Sequence, residues 1–559
     1  MAGALYMLTM QYVRAANTDQ PEGALPAAQR PQTAVSAAPS QPPRRLVLVV
    51  IDGLRLDVAQ QMPQLQALGE RGHFAKASAP LPSLSRVSYT AMVAGANPER
   101  TGIRNNSFNS PVGVDTVLQR AKDAGLKVSG VGDLAYWEEN FEPSLDAWTT
   151  VDDTKGSEAL QSAALALLKR QTEGIAIIHM LAVDRAGHAH GVTEPYHKAA
   201  AELDAIVGQV GKALDLDKDA LMIVADHGHV DRGGHGGDEP EVLAIPAVLV
   251  GYGFGKGAQD FGPISALGPT VSLLMGLEYP RDMTTAPAYH VLDPALYPEK
   301  DQEARRQEWM SHRRQYETRW LKGVYEDWTS VRWSGEEVGN RVSSATVTPH
   351  DATLERLLEA RATTLDEIQR DRRVGRTPMV ALLIVPQVLL MVLGLIQGFR
   401  MAPLFLSPLT LLGVMGVYWS MGWPLSFSAI SSKLNFVLML GALTVGVLSA
   451  HGGALWWMLR ELKGEQRAAA WRFHATVVAL LTASAAPFYW LLAGFAVDAP
   501  QPALWVWFAP IVLGAAGTAA LTLVGLVWFG AALFGGKGAQ ATATEPSDTA
   551  GAEAPGASA

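Results

Sequence analysis

The stretch LVLVVIDG (residues 46–53) decides the fold of the N-terminal half of this chain. Its six apolar residues, most of them β-branched, are typical of a strand that is buried on both faces of a parallel sheet. Similar runs follow at IAIIHMLAV (175–183), ALMIVA (220–225) and IPAVLV (245–250). Helical patterns lie between these runs at 157–170 and 195–213. The alternation of strands and helices predicts a doubly wound α/β domain with a mostly parallel sheet.

Changes in composition divide the whole chain into five regions. The predicted regions are an N-terminal segment and flexible linker (1–45), an α/β domain (46–292), a charged juxtamembrane helical region (293–376), an apolar region (377–536) and a disordered tail (537–559). A closing helix and turn are expected at 265–280, near the end of the α/β domain. Residues 1–13 are apolar and uncharged, which leaves two interpretations open: a truncated signal or anchor, or a disordered tail.

The apolar region contains long stretches without Asp, Glu, Lys or Arg. Predicted transmembrane helices, each near the ~20 residues needed to cross a bilayer, lie at about 378–398, 403–423, 434–458, 474–496 and 503–534. Buried helices of soluble proteins rarely run so long without a charge. The sequence therefore predicts a multi-pass integral membrane protein with a C-terminal transmembrane helix bundle.

The charges between the predicted spans indicate an orientation. The loop 459–472 contains four basic residues, which is typical of a cytoplasmic loop. With five spans, this loop places the α/β domain on the extracytoplasmic side, periplasmic or outer. The basic segment RDRRVGR (370–376) favours the opposite orientation. We expect the extracytoplasmic placement.

Charge and cysteine content exclude several kinds of function. The 559 residues carry a net charge of −9, which is unlike the basic surface of a protein that binds nucleic acid. The chain has no cysteine, so it has neither disulfides nor thiolate metal sites. Any metal ion must be bound by His, Asp, Glu or a hydroxyl.

An aspartate stands at the end of each of three apolar runs: Asp52, Asp184 and Asp226. In open α/β sheets, ligands bind beyond the carboxyl ends of the strands, so these carboxylates are expected to converge. Taken alone, each aspartate would be an ordinary turn or helix-cap residue. Histidines accompany them, namely His188, His227 and His235, the last in the glycine-rich segment GGHGG (233–237). Imidazole and carboxylate suit zinc, and six such ligands are enough for two ions.

A candidate nucleophile lies in PSLSRVSYTAMVAG (82–95). A proline turn and a hydroxyl cluster precede an apolar helical pattern, so a hydroxyl would lie at a helix N-terminus, where backbone N–H groups favour phosphate. The alternative is that Ser83 or Ser85 is only a helix cap. The pattern alone does not choose between these interpretations.

Four motifs together carry a family resemblance. IDG, PSLSRVSYTAMVAGANPERTGIRNN, VDRAGHAHG and DHGHVDRGGHGG follow one another in the order seen in type I phosphodiesterase/nucleotide pyrophosphatases, a branch of the alkaline-phosphatase superfamily. In its motifs the sequence is most similar to the catalytic domains of GPI ethanolamine-phosphate transferases, which also carry C-terminal membrane spans. The resemblance covers roughly residues 46–290 and implies an alkaline-phosphatase-like fold.

The resemblance also implies two divalent ions, most simply Zn²⁺. It assigns Asp52, Asp226 and His227 to one ion together with the nucleophile hydroxyl, and Asp184, His188 and His235 to the other. It makes Ser85, rather than Ser83, the catalytic nucleophile and a ligand of the first ion. Asn106 would contact a phosphoryl oxygen, although Asn105 is adjacent. His190 matches an H-x-H-G pattern of the transferases, which implies a place near the metal ligands or the substrate.

The sequence departs from the family pattern beside two of these residues. Arg86 and Val87 follow Ser85 where pyrophosphatases have Phe-Pro, and His229 replaces a methionine that is common after DHG. These departures weaken the case for a nucleotide substrate. A sulfatase would need proline two and arginine four residues after the nucleophile. Val87 and Tyr89 occupy those positions, which excludes that branch.

The expected function is a membrane-bound hydrolase that cleaves phosphate esters through a phosphoserine intermediate. The alternative is a transferase that moves phosphoethanolamine or another phospho-head group from a lipid donor to an acceptor. A transporter or receptor with a vestigial domain is a third class, but the ligand set is complete and only His451 and His474 are ionisable within the spans. The expected partners are a phosphate-ester substrate, possibly lipid-linked, and membrane lipids, with no nucleic acid.

Overall fold

The computed structural model describes residues 42–152, 156–330 and 354–361, together with single positions scattered between 378 and 476. Strands of one eight-stranded sheet run in the order β4-β3-β5-β1-β6-β7-β2-β8. Their bounds are β1 Arg45–Ile51, β2 His73–Ser78, β3 Val128–Gly132, β4 Ala147–Thr150, β5 Gly174–Met180, β6 Asp219–Ala225, β7 Ala244–Gly251 and β8 Asp260–Pro263. Every residue of β1, β5 and β6 is buried, so these strands form the centre of the core.

Helices connect and cover these strands. Their bounds are α1 Leu56–Ala59, α2 Pro63–Glu70, α3 Ser85–Ala94, α4 Pro98–Thr101, α5 Val117–Asp123, α6 Tyr136–Phe141, α7 Ser157–Arg170, α8 Ala182–His190, α9 Glu194–Lys212, α10 Pro240–Leu243, α11 Leu267–Met275 and α12 Glu299–Ser330. Short 3-10 helices lie at Glu142–Ser144, Ile264–Ala266 and Tyr289–Val291. The helices predicted at 157–170 and 195–213 correspond to α7 and α9. The α/β class is confirmed.

The sheet is mixed rather than wholly parallel. β1 pairs in parallel with β5 and β6, whereas β7 is antiparallel to both of its neighbours, β6 and β2. The run IPAVLV was expected to be a parallel strand, and that expectation is wrong. The chain leaves β6 at its carboxyl end and enters β7 from the same edge of the sheet without a long crossover helix, which makes the pair antiparallel. A strand buried on both faces has the same sequence pattern in either direction.

The second central strand is shorter than its apolar run. The run IAIIHMLAV was expected to be strand to residue 183, but β5 ends at Met180 and α8 begins at Ala182. Asp184 therefore lies in the first turn of a helix rather than at the strand end itself. The side strands β2, β3, β4 and β8 had no predicted counterpart. β2 and β4 are partly exposed, so their sequences lack a continuous apolar run.

The C-terminal part of the chain is only sparsely described. The predicted spans lie outside the described residues, apart from single positions, and so do residues 1–41 and the predicted tail 537–559. Within the described residues, no helix combines the length and the apolar character needed to cross a membrane. The transmembrane bundle and the division of the chain at residues 292, 376 and 536 stay predictions.

Candidate metal centre

The carboxyl ends of β5, β1 and β6 bring three aspartates to one edge of the sheet. Asp52 directly follows β1, and Asp226 directly follows β6. The backbone N–H of Asp52 donates to the carbonyl oxygen of Met180 at 2.9 Å, which ties the end of β1 to the end of β5. Asp184 lies just past the same edge, in the first turn of α8. All three aspartates are buried.

The glycine of the IDG motif allows these groups to approach one another. Gly53 has a φ of 72°. A Cβ there would lie 2.8 Å from Cα of Asp184 and 2.9 Å from Nε2 of His229, which leaves room for no residue but glycine. The N–H of Gly53 donates to Oδ1 of Asp226 at 3.0 Å. The motif thus joins all three strand ends.

Asp52, Asp226 and His227 form what we call the first cluster; one ligand atom from each lies within 4.8 Å of the others. Nε2 of His227 is 3.4 Å from Oδ1 of Asp52 and 3.3 Å from Oδ2 of Asp226. Nδ1 of His227 lies 3.1 Å from the carbonyl oxygen of Gly228, so Nδ1 carries the proton and donates. Nε2 therefore presents a lone pair to two carboxylates.

The first cluster lacks a hydrogen-bond donor for the oxygen atoms that face its centre. Oδ1 of Asp52 and Oδ2 of Asp226 are buried and have no hydrogen-bond partner. Burial, and after it the charge of Asp52, raises the pKa of Asp226 well above its usual range. Burial lowers the pKa of His227, so its ring stays neutral. Buried lone pairs that face one another are costly unless a cation lies between them, so these residues fit a divalent metal ion.

Asp184, His188 and His235 form the second cluster. Asp184 and His188 are four residues apart on α8, which places both on one face of the helix. Nε2 of His188 is 3.4 Å from Oδ1 of Asp184, and Nε2 of His235 is 3.7 Å from the same oxygen. The two imidazoles approach to 3.1 Å between their Nε2 atoms. Three ligand atoms therefore surround a second point.

The second cluster adjoins the first and is also suited to a cation. The rings of His227 and His235 stack with centroids 3.6 Å apart. Nδ1 of His235 donates to the carbonyl oxygen of Ser83 at 2.8 Å, which leaves Nε2 with a lone pair. Burial, and after it the neighbouring His227, lowers the pKa of His235 well below its usual value. Neutral imidazole is the form that binds metal.

Ser85 is the first residue of α3 and faces the first cluster. Its Oγ lies 3.3 Å from Nε2 of His227. Asn106 reaches the same hydroxyl, with Nδ2 3.4 Å from Oγ of Ser85. Oδ1 of Asn106 accepts a hydrogen bond from the backbone N–H of Arg86 at 3.1 Å, which fixes the amide at the start of the helix. A hydroxyl, an amide donor and a helix N-terminus therefore meet beside the first cluster.

The residues beside Ser85 and Asn106 are engaged elsewhere. Oγ of Ser83 donates to the carbonyl oxygen of Gly237 at 2.8 Å and accepts from the N–H of Gly236 at 3.0 Å. Oδ1 of Asn105 accepts from the backbone N–H of Ser107 at 2.7 Å. The structure thus distinguishes Ser85 from Ser83 and Asn106 from Asn105, which the sequence pattern left open.

His229 belongs to the site although sequence reasoning gave it no role there. Its ring is buried, and Nδ1 accepts a hydrogen bond from the N–H of Gly234 at 3.0 Å. Nε2 must then carry the proton, and it donates to Oδ1 of Asp184 at 3.0 Å. Asp184, His227 and His229 also lie close enough to hold an ion, but this proton makes His229 a donor that orients Asp184. Its signal was the D-H-G-H spacing after β6.

Tyr89 and His179 hold Asp52 from the other side. Tyr89 lies one turn after Ser85 on α3, and its hydroxyl donates to Oδ2 of Asp52. Nε2 of His179 is 2.7 Å from the Tyr89 oxygen and 3.2 Å from Oδ2 of Asp52. Burial, and after it the Asp52 charge, raises the pKa of Tyr89 well above its usual value, so Tyr89 stays a donor. His179 interrupts an apolar run in the sequence, which was the available signal.

Arg86 and His190 differ from the ligands in their surroundings. The guanidinium of Arg86 is buried against α6, where Nη1 lies 3.1 Å from Oδ1 of Asn140, Nη2 pairs with Glu139, and the Tyr136 ring centroid is 3.9 Å away. Arg86 therefore anchors α6 beside the nucleophile. His190 is exposed at the end of α8, two residues beyond His188.

Comparison with known proteins confirms the family resemblance. Residues 46–128 and 133–236 match the family model of type I phosphodiesterase / nucleotide pyrophosphatase. The human catalytic subunit of GPI ethanolamine phosphate transferase 2 is 26% identical over 302 residues, 48% of this chain and 30% of that protein. The Mus musculus catalytic subunit of GPI ethanolamine phosphate transferase 3 is 27% identical over 274 residues, 42% of this chain and 24% of that protein.

A solved structure with similarity to this chain is murine ectonucleotide pyrophosphatase / phosphodiesterase 5. It is 12% identical, covers 44% of this chain and 100% of that chain, and has a TM-score of 0.38. The chain spans less than a third of the length of the two curated transferase relatives. Both clusters, Ser85 and Asn106 lie inside the ranges that match the family model.

Proposed function

We propose that this chain is a membrane-bound, metal-dependent phosphodiesterase-type enzyme that acts through a phosphoserine intermediate at Ser85. The observation that carries the proposal is the first cluster, where buried carboxylate oxygens without donors face the lone pair of His227 beside a serine hydroxyl. A structural cluster of this kind would be filled by donors from the protein, because buried polar atoms are otherwise paired. The matched family supports an enzyme that acts on phosphate esters.

The proposed cofactors are two zinc ions. Asp52, Asp226 and His227 would hold one ion together with Ser85. Asp184, His188 and His235 would hold the other. Carboxylate and imidazole ligands without thiolates suit zinc, although the donor set alone also admits other divalent ions. When bound, the ions supply Lewis acidity that lowers the pKa of the serine hydroxyl and offsets the charge of the phosphoryl group.

The chain's own residues perform the remaining tasks. Oγ of Ser85 forms a bond to phosphorus while the ester bond to the leaving alcohol breaks. The serine proton is lost to solvent, and the leaving alcohol takes up a proton. Nδ2 of Asn106 and the N-terminus of α3 donate to the non-bridging oxygens, which develop charge during the displacement. Positioning and neutralisation of charge account for most catalysis of this kind.

The second step separates the two candidate functions. If water attacks the phosphoserine, the enzyme is a hydrolase. If an alcohol attacks it, the enzyme transfers a phospho-head group such as phosphoethanolamine. The similarity to GPI ethanolamine phosphate transferases and the predicted spans favour a lipid-linked donor on the extracytoplasmic side. Either attack releases Ser85 with its hydroxyl restored.

Product analysis tests this proposal. Purified full-length protein, loaded with Zn²⁺, would be offered a panel of phosphodiesters, phosphomonoesters and phospholipids, with and without acceptor alcohols. We expect cleavage of diesters that requires the metal and Ser85, and a transfer product when the correct acceptor is present. Full turnover by Ser85→Ala would overturn the proposal. Release of the head group into water alone, whichever acceptor is added, would support the hydrolase.

A further inference from the structure

The glycine-rich segment 233–237, which carries His235, is held by two serines from distant parts of the chain. Gly233, Gly234 and Gly236 all have positive φ, so the backbone has little rigidity of its own. Ser83 holds one side through the bonds with Gly236 and Gly237 described above. The second serine, Ser428, accepts a hydrogen bond from the N–H of Gly237 at 2.9 Å.

Ser428 lies in the apolar C-terminal third, between the predicted spans 403–423 and 434–458. Its side chain is buried, and its hydroxyl also donates to Oε2 of Glu239 at 2.6 Å. A serine hydroxyl has one proton and accepting lone pairs, so one Ser428 side chain links the amide of Gly237 to the carboxylate of Glu239. These two residues lie on either side of the turn that leads from His235 into α10.

We propose that Ser428 is a positioning residue for His235, so that the C-terminal third of the chain completes the second cluster. Gly237 is two residues from His235, and a hydrogen bond there limits how far the imidazole moves from Asp184 and His188. The α/β domain alone would keep the Ser83 contact and lose the Ser428 contact. The C-terminal third therefore acts on metal retention as well as on location. Only the metal readout of this proposal rests on the proposed function.

The same contact has a topological consequence. Between the α/β domain and Ser428 lie two of the predicted spans, at 378–398 and 403–423. Two crossings return the chain to the side on which it started, so Ser428 is on the same side as segment 233–237. A contact between them is compatible with the predicted spans, whereas a single crossing would separate them.

The test compares variants of the full-length protein in lipid nanodiscs. Ser428→Ala removes the hydroxyl, Ser428→Thr keeps it, and Ser449→Ala is the matched control, because Ser449 is an exposed helical serine in the same third of the chain. Zinc retention is measured per chain during titration with a chelator. Loss of a partner that orients a ligand costs roughly 10–100-fold in metal affinity. We expect a loss in this range for one of two ions in Ser428→Ala, restoration in Ser428→Thr and no change in Ser449→Ala.

Hydrogen exchange of the metal-free protein gives a second readout that does not depend on the proposed function. We expect faster exchange at residues 234–237 in Ser428→Ala, with β1 and β6 unchanged. If β1 and β6 also exchange faster, the variant has unfolded, and Glu239→Gln, which keeps the side-chain volume, replaces it. Unchanged exchange at 234–237 together with wild-type zinc retention would overturn the role of Ser428. Absence of zinc from the wild-type protein, with faster exchange in the variant, would instead count against the metal site.

Discussion

The two clusters are made of the same kinds of residue but are built differently. In the first cluster, Asp52 and Asp226 directly follow central strands, and all three side chains are 0% exposed. In the second cluster, His188 is on a helix and is 34% exposed, and His235 is on a glycine-rich segment. Strand ends in a buried sheet are rigid, whereas segment 233–237 depends on hydrogen bonds from elsewhere. The first cluster is therefore the fixed part of the site, and the second is the adjustable part.

The largest expected effect comes from the hydroxyl that belongs to the first cluster. Ser85→Ala removes the nucleophile, and turnover should fall by on the order of 10³-fold or more, because no other hydroxyl takes its place. Steady-state kinetics on a chromogenic diester measures this change. Zinc content should stay near that of the wild type, since one ligand among several is lost.

Ser83→Ala is the matched control for Ser85→Ala. It loosens segment 233–237 but leaves the nucleophile in place, so measurable turnover should remain. If Ser83→Ala were inactive and Ser85→Ala active, the assignment of the nucleophile would be wrong by two residues.

Removal of a ligand from each cluster tests the difference directly. His188→Ala should lose one of two ions and reduce turnover by more than the roughly 100-fold typical of a lost outer partner. His227→Ala should affect the first cluster instead and should also disturb Ser85. Elemental analysis of each purified variant gives the metal content per chain.

Chelation of the wild-type protein sharpens the same comparison. The ion of the second cluster should leave first, because its ligands are more exposed and depend on a flexible segment. Simultaneous loss of both ions would show that the clusters act as one unit and would contradict the proposed difference.

Tyr89→Phe should have a smaller effect, confined to the first cluster. It removes the hydrogen bond to Oδ2 of Asp52, and we expect about 10–100-fold weaker binding of the first ion. Unfolding free energy should fall by about 1 kcal/mol, the usual contribution of one hydrogen bond. Chelator titration and denaturant unfolding measure the two quantities. Preferential loss of the second ion in this variant would argue against a role for Tyr89 at Asp52.

His190→Ala should have the smallest effect. The side chain is exposed at the end of α8, and exposed substitutions usually change free energies by less than about 0.5 kcal/mol, roughly a twofold change in rate. Kinetics on a small diester should therefore be close to wild type. A large rise in KM for a lipid donor alone would instead place His190 beside the lipid part of the substrate.

The sequence by itself determined the centre of the fold and the ligand candidates. Apolar runs and helical periodicity are local signals, and they indicated β1, β6, α7 and α9. The position of aspartates after such runs predicted their convergence, because the carboxyl ends of parallel strands share one edge. The spans of the C-terminal third rest on the same local kind of signal and stay predictions.

Only the tertiary structure decided what depends on contacts between distant residues. The antiparallel direction of β7 follows from the path of the chain, which the apolar run does not record. The roles of Ser83 and Ser85 differ because one faces segment 233–237 and the other faces His227. The donor role of His229 depends on a backbone N–H five residues away that fixes its tautomer. Ser428 meets Gly237 across 191 residues of chain, and packing alone brings such a pair together.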